Sequence, residues 1–191
     1  MLRTDIINHF IKKHGYTTYL EVGVSNGWCF ERIECENKEG VDPDTLSPAK
    51  HCMTSDEFFR NASHDGILLK AYDIIFIDGL HHADQVYKDI KNAIKHLNPG
   101  GTIVCHDMSP ESLQAQYVPR QVKIWNGDCW KAWVRLRTEL DMQMYVINTD
   151  FGCGVIREGS QEKLELTEPL TYDNLVKNRR LWLNLKSSIL P

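Results

Sequence analysis

The sequence predicts an α/β fold, a doubly wound and mostly parallel sheet. Strand-like apolar runs alternate with helix-period stripes along most of the chain, and residues 72 to 79, YDIIFIDG, are apolar enough for a central strand covered on both faces. The pair of strand patterns in MQMYVINTDFGCGVIRE, residues 142 to 158, adds a hairpin and with it one antiparallel strand near the sheet edge.

Each element follows from local chemistry. Ile6, Ile7, Phe10 and Ile11 repeat at helical spacing, which predicts an amphipathic helix over 1–15 that ends near Gly15. TTYLEV, rich in β-branched and aromatic residues, is the first strand, followed by a glycine turn and a helix over 26–34. EGVDPD is a second, weaker strand, and KHCMTSDEFF a third that runs into a helix capped by Thr54, Ser55 or Asp56. After the fourth strand, Val86, Tyr87, Ile90, Ala93, Ile94 and Leu97 form the clearest apolar helical stripe in the chain. NPGG stops that helix and TIVCHD is the fifth strand. A helix over 128–140, the hairpin, and a final helix over 172–188 complete the chain. Residues 108–127 carry no regular pattern. A connection of that length just after a central strand suits a lid or substrate loop.

The totals set limits. With 191 residues the chain is long enough for one domain spanning 1–191, and no linker or internal repeat divides it. The 26 acids outnumber the 22 lysines and arginines, so a nucleic-acid partner is disfavoured. The six cysteines are scattered without metal-knuckle spacing, which fits reduced thiols and a cytoplasmic location. No run is long and apolar enough for a membrane span.

In an open α/β sheet ligands sit beyond the carboxyl ends of the strands, and every such end here carries an acid. After the first strand comes YLEVGVSNGW. A dinucleotide turn needs glycines at its first, third and sixth positions; counting from Gly23, these positions hold Gly23, Ser25 and Trp28, so that reading fails twice. A phosphate-binding Gly-Lys-Ser/Thr is absent. What remains is an acid two residues before Gly23, a second glycine at Gly27, and Asp42 at the end of the second strand.

These residues, with SDEFF, YDIIFIDGLHH, LNPGGTIVCHD and TDFGCGVI in the same order over residues 17–157, resemble the class I S-adenosylmethionine-dependent methyltransferases, most of all small bacterial ones found beside sugar and natural-product biosynthesis genes. The resemblance implies a Rossmann-like, seven-stranded sheet. It implies S-adenosylmethionine bound by Glu21, Gly23, Ser25, Gly27, Asp42, Ser55, Asp56 and Asp78. Glu21 would supply negative charge near the amino and sulfonium groups, Asp42 would accept from the ribose hydroxyls, and Asp56 would meet the adenine amine. Ser25 stands where many members have a third glycine, which is tolerated if its φ is negative.

Methyl transfer to a hydroxyl needs a base or a metal to take up or loosen the proton. The fourth and fifth strand ends offer Asp78, His81, His82, His106 and Asp107, of which His82, Asp78 and His106 are the catalytic candidates. Metal-dependent oxygen methyltransferases resemble this arrangement, and Asp78 with Asp107 would suit Mg²⁺ or Mn²⁺. The second ligand such enzymes often carry after the fifth strand is Met108 here. Blander roles stay open: Asp78 as holder of the cofactor's amino end, His81 or His82 as helix caps, Asp107 as anchor of the following loop. Trp130 is read either as part of the acceptor pocket or as core. The expected activity is O-methylation of a small molecule, a sugar or related hydroxyl acceptor. A Rossmann-type NAD(P)-dependent oxidoreductase and a non-catalytic nucleotide-binding partner domain are the alternatives. A homodimer stays open.

Overall fold

The computed structural model describes residues 1–64, 67–68 and 70–189. Its order is α1 (Arg3–His14), β1 (Thr18–Val22), α2 (Trp28–Glu31), β2 (Asn37–Asp42), β3 (His51–Cys52), α3 (Ser55–Asn61), β4 (Ser63–His64), β5 (Ile67–Leu68), β6 (Tyr72–Ile77), α4 (Ala83–Lys95), β7 (Leu97–Cys105), α5 (Cys129–Glu139), β8 (Gln143–Ile147), β9 (Cys153–Arg157), α6 (Tyr172–Trp182) and β10 (Leu185–Lys186). The main sheet runs β3-β2-β1-β6-β7-β9-β8-β10, with β9 antiparallel to both its neighbours and every other pairing parallel.

The alternation that predicted the strands is what sorts the core. In β6, Ile74 and Phe76 join Ile6, Ile7 and Phe10 of α1 on one face, while Ile75 and Ile77 join Val86 and Ile90 of α4 and Trp130 and Trp133 of α5 on the other. Each such side chain, fully buried, contributes roughly 1.5–3 kcal/mol. Trp130 is therefore core, stacked on Trp182 at 6.1 Å and donating its indole N–H to Gln116 at 2.8 Å.

Three expectations change in detail. The helix after the first strand is a single turn, because Gly27 with φ of 82° is still part of the loop and Arg32 already turns back to donate to the Trp28 carbonyl. The last helix ends at Trp182, not 188: Asn184 takes a left-handed φ of 48° and donates its amide to the Met144 carbonyl, which lays Leu185–Lys186 beside β8 as an eighth strand. A two-residue strand has no periodicity to read. Residues 108–127 are irregular but tied down. Asn126 and Gly127 donate backbone N–H to the Ala115 carbonyl, the Trp125 indole donates to Tyr117, and Arg179 of α6 reaches Ser109 Oγ at 2.7 Å and the Pro110 carbonyl at 2.8 Å.

Candidate functional site

Two adjoining cavities open at the carboxyl ends of β1, β2, β6 and β7, and both are lined by Gly23, Ser25, Asp78 and His81. The turn after β1 makes room for them. Gly23 crosses so close to β6 that a β-carbon would sit 2.3 Å from the Asp78 carbonyl oxygen, so only glycine fits.

The first cavity, about 520 Å³, runs from this turn to Asp42, Ser55 and Asp56. Asp42 Oδ2 accepts from the Ser25 backbone N–H at 2.7 Å and Oδ1 from that of Asp44 at 2.8 Å. Each carboxylate oxygen keeps a further lone pair, enough for a pair of ribose hydroxyls. Ser25 departs from the expectation: its φ is +50°, and the bond to Asp42 holds it in that left-handed state. The N-terminus of α3 is fixed by a reciprocal Thr54–Glu57 capping box, which sets Ser55 and the half-exposed Asp56 at the cavity edge. Asp56 accepts from Gln85 at 3.0 Å.

Glu21 lies beneath the junction of the cavities and is fully buried. Oε2 accepts from the Tyr19 hydroxyl, while Oε1 has no hydrogen-bond partner. Burial pushes its pKa up to about 8, with Asp78 adding to the rise. As it stands the carboxyl is mostly neutral at pH 7. The free protein thus presents a neutral carboxyl where the sequence reading placed negative charge beside a bound cofactor.

The second cavity, about 410 Å³, holds the acid and histidine groups of β6 and β7. Asp78 Oδ1 lies 3.3 Å from both His81 Nε2 and His106 Nδ1. Asp107 Oδ2 lies 3.1 Å from His81 Nδ1, and its Oδ1 is 3.3 Å from His106 Nδ1 and accepts from Asn126 at 2.5 Å. On the far side His106 Nε2 faces Asp150 Oδ1 at 3.5 Å and Nη1 of Arg3. Burial opposes the imidazolium of His106, but Asp78, Asp107 and Asp150 outweigh it and raise its pKa. Burial also opposes charge on His81, and again Asp78 and Asp107 give a net rise. Asp78 is only partly buried, and the two histidines hold its pKa well below the usual carboxylate range.

Aromatic walls close this side. Trp125 stacks on His81 with ring centres 5.0 Å apart and planes at 17°, and Trp28 and Phe151 line the same cavity. Among the described residues, five that are not glycine have positive φ, and four of them, Ser25, Asp107, Asp150 and Phe151, line this cavity. Backbone strain concentrated in this way marks a functional site.

His82 is not in the cluster. It is the N-cap residue of α4, it faces a separate cavity beside Leu80 and Lys131, and its neighbour His81 is the histidine that meets Asp78 and Asp107. Capping falls to neither histidine: Asp128 Oδ1 accepts from the Ala83 N–H at 2.7 Å. Asp78, His106 and Asp107 do come together. Arg3, Asp150, Trp125 and Asn126 complete the site without having been singled out in sequence.

Fold and strand-end geometry define a Rossmann-like domain with an acid at the end of β2 and an acid and histidine pocket beside it. The model of a family described as a methyltransferase domain matches residues 20–108, and these include both the β1 turn and the Asp78 to Asp107 cluster. Among solved structures the chain is similar to an O-methyltransferase from Bacillus cereus in complex with SAH, at 10% identity and a TM-score of 0.58, over 82% of this chain and 80% of that one. It is also similar to the O-methyltransferase TomG from Streptomyces achromogenes, which is involved in tomaymycin synthesis and was solved with SAM, at 11% identity and a TM-score of 0.62, over 83% and 80%. At these identities the likeness is one of fold. No curated protein matches the chain. Residues 20–108 thus match a methyltransferase domain, and the chain shares its fold with O-methyltransferases solved with SAH and SAM. No helix among the described residues is long and apolar enough to cross a membrane.

Proposed function

We propose that this methyltransferase acts on a hydroxyl of a small molecule, a sugar or a related acceptor, in the second cavity, with the cofactor in the first. The observation that carries this reading is the sharing of Gly23, Ser25, Asp78 and His81 by the two cavities, which puts the acid and histidine pair at their junction. Trp28 and Trp125 offer flat apolar faces to a ring, and Asn26, Asn126 and Lys123 offer polar contacts at its rim. The B. cereus and S. achromogenes enzymes named above are O-methyltransferases, in keeping with an oxygen acceptor.

In this reading Glu21, Gly23, Ser25, Gly27, Asp42, Ser55 and Asp56 hold S-adenosylmethionine, and the unpartnered Glu21 Oε1 and the free lone pairs of Asp42 are what fit it. The cofactor supplies a methyl carbon made electrophilic by its sulfonium. The acceptor's proton passes to the Asp78–His81 pair, on whose shared hydrogen bond it is held, as the new O–C bond forms and the S–C bond breaks with its electrons staying on sulfur. Asp78 orients that imidazole, and His106 holds Asp78. Residues 108–127, through Trp125 and Asn126, cover the site and exclude water, within one domain spanning the chain. A cytoplasmic location belongs to the same reading.

The metal-assisted form meets a poor fit. Ligand atoms of Asp78, His81 and Asp107 do lie within 4.8 Å of one another. Yet all four carboxylate oxygens of Asp78 and Asp107 already face His81, His106, Asn126 or Arg3. Mg²⁺ wants about six oxygen ligands in near-octahedral geometry. Met108, buried beside Asp107, offers no oxygen. No step is assigned to an ion here.

Calorimetry with S-adenosylhomocysteine tests the cofactor site. Wild type should bind, and Asp42→Ala should bind at least about tenfold more weakly, the loss expected for a charged hydrogen-bond acceptor. Equal affinity of the two proteins would overturn the assignment of the first cavity.

A further inference from the structure

The groups around Asp78 include one cation that the methyltransferase core does not supply. Arg3 is the first residue of α1, outside the matched segment 20–108, and its side chain enters the second cavity from the opposite wall. It is held there from both ends. Its backbone N–H donates to Asp150 Oδ2 at 2.9 Å, and the Thr149 hydroxyl donates to the Met1 carbonyl, so the β8–β9 turn grips the start of α1. Its Nη1 donates to both Asp150 oxygens at 3.3 Å and touches His106 Nε2, and its Nε lies 3.9 Å from Asp78 Oδ2. That Nε is buried and has no hydrogen-bond partner. The guanidinium also lies 5.5 Å from the centre of the Trp28 ring.

We propose that Arg3 is the resident cation of this site, a positioning residue that takes the place a divalent ion would have among the carboxylates. Asp78, Asp107 and Asp150 would otherwise repel one another across a space of a few ångströms. A divalent ion would relieve that repulsion, and so does a guanidinium fixed on α1. The guanidinium is always charged and carries five donors in one plane, so it spans Asp150, His106 and the approach to Asp78 at once. Its fixed charge joins His81 and His106 around Asp78 without any exchangeable ion. The unsatisfied Nε–H facing Asp78 Oδ2 is the reserve: a small closure of the 3.9 Å gap, with the acceptor in place, would turn it into a hydrogen bond. The poor fit for a metal and the presence of Arg3 are then one fact.

This inference rests on the methyltransferase reading only for the purpose of the site. Its test uses the free protein and Mn²⁺ as probe, read by electron paramagnetic resonance, so that no acceptor is needed. Wild type and Arg3→Lys should bind Mn²⁺ weakly, whereas Arg3→Gln should bind at least about tenfold more tightly, because a nearby positive charge no longer repels the ion. Asp78→Asn in the Arg3→Gln background should abolish the gain. S-Adenosylhomocysteine affinity should stay within about twofold in the two Arg3 single variants, since Arg3 lines only the acceptor cavity; a protein that never binds it defeats the cofactor reading and leaves the Mn²⁺ comparison standing. Tight Mn²⁺ binding by wild type, or no gain in Arg3→Gln, overturns the inference. If Arg3→Gln does not fold, Arg3→Met decides, since it keeps an apolar stem on α1 and drops only the charge, and it should show the same gain; no change in Mn²⁺ affinity there overturns the inference equally.

Discussion

Affinity for S-adenosylmethionine should fall steeply as the pH drops from about 8 to about 6, and Glu21 should be the cause. Its carboxyl is enclosed, with a pKa raised to about 8, and its Oε1 waits without a partner beside the turn that receives the cofactor's cationic end. A cation binds the ionised form. With that pKa, roughly half the carboxyls are ionised at about pH 8, a tenth at about pH 7 and a hundredth at about pH 6, since each unit is worth ~1.36 kcal/mol. The apparent dissociation constant should therefore rise roughly fiftyfold across the interval, or ~2.3 kcal/mol. Calorimetry at several pH values in buffers of different ionisation enthalpy would measure both the affinity and the proton released on binding. The histidines His81 and His106 would push in the same direction, because they lose a repelling charge as pH rises, so the decisive comparison is Glu21→Gln. If the reasoning holds, that variant binds with a much flatter pH dependence and converges on wild type at the acid end. A wild-type affinity that is flat over this range, or a Glu21→Gln variant that keeps the full slope, refutes it. The same shift has a sign for stability. The folded state of the free protein keeps the Glu21 proton between pH 4.5 and about 8 while the unfolded chain has lost it, so stability conferred by the buried neutral acid falls as pH rises through that window, by roughly 1.4 kcal/mol per unit. Glu21→Gln should accordingly raise the melting temperature of the free protein at alkaline pH and leave it little changed near pH 4.5.

The two adjacent histidines give a sharp contrast. His81→Gln should lower turnover by about 10²-fold or more, the usual worth of a positioned proton acceptor, with cofactor affinity changed little, while His82→Gln should stay within about twofold of wild type in both. Steady-state kinetics on any acceptor found in a panel would check the pair, and equal losses would mean that the phase of this turn has been misread. Gly127→Ala should destabilise the fold by about 1–3 kcal/mol in chemical denaturation. Its φ is +62° and a β-carbon would fall 1.8 Å from the His81 carbonyl, so the strand-to-helix turn and the cover over it cannot both keep their places.

The cofactor half was legible in sequence because its parts are contiguous. Glu21, Gly23 and Gly27 belong to one turn, and Asp42 ends the next strand; strands that need both faces covered announce themselves as apolar runs, so their ends could be found and inspected. In the other half Asp78, His81, His106 and Asp107 stood at strand ends, but local pattern was silent about the rest. Arg3 looks like any charged residue at the start of an amphipathic helix, Asp150 like a turn former, and Trp125 like one more residue of an irregular stretch. They meet only because β9 returns antiparallel between β7 and β8, which brings the turn at 150–152 against the end of β7 through the Met108–Gly152 and Ser109–Phe151 backbone bonds. The choice of His82 over His81 failed for a related reason. In HHAD the helix starts one residue later than the loop chemistry needs, and a one-residue difference turns a side chain from one cavity to the other.

The distribution of strain carries the argument one step further. A left-handed conformation costs an ordinary residue about 1–2 kcal/mol, and Ser25, Asp107, Asp150 and Phe151 all adopt it around a single cavity. Each is held by a bond that would be lost on relaxation. Ser25 is held by Asp42, Asp107 by Asn126 from the covering segment, Asp150 by the Arg3 N–H, and Phe151 by the N–H of Ser109. The restraints come from β2, from α1 and, twice, from 108–127. Three separate parts of the chain thus fix the backbone of one pocket, and two of them, α1 and the covering segment, lie largely outside the matched methyltransferase region. A pocket that had to hold only the cofactor would need neither. The investment in these two parts is explained if the acceptor side, not the methyl donor, is where this chain requires its geometry to be fixed, and that is where substitutions in α1 and in 108–127 should alter acceptor choice while leaving cofactor affinity nearly unchanged.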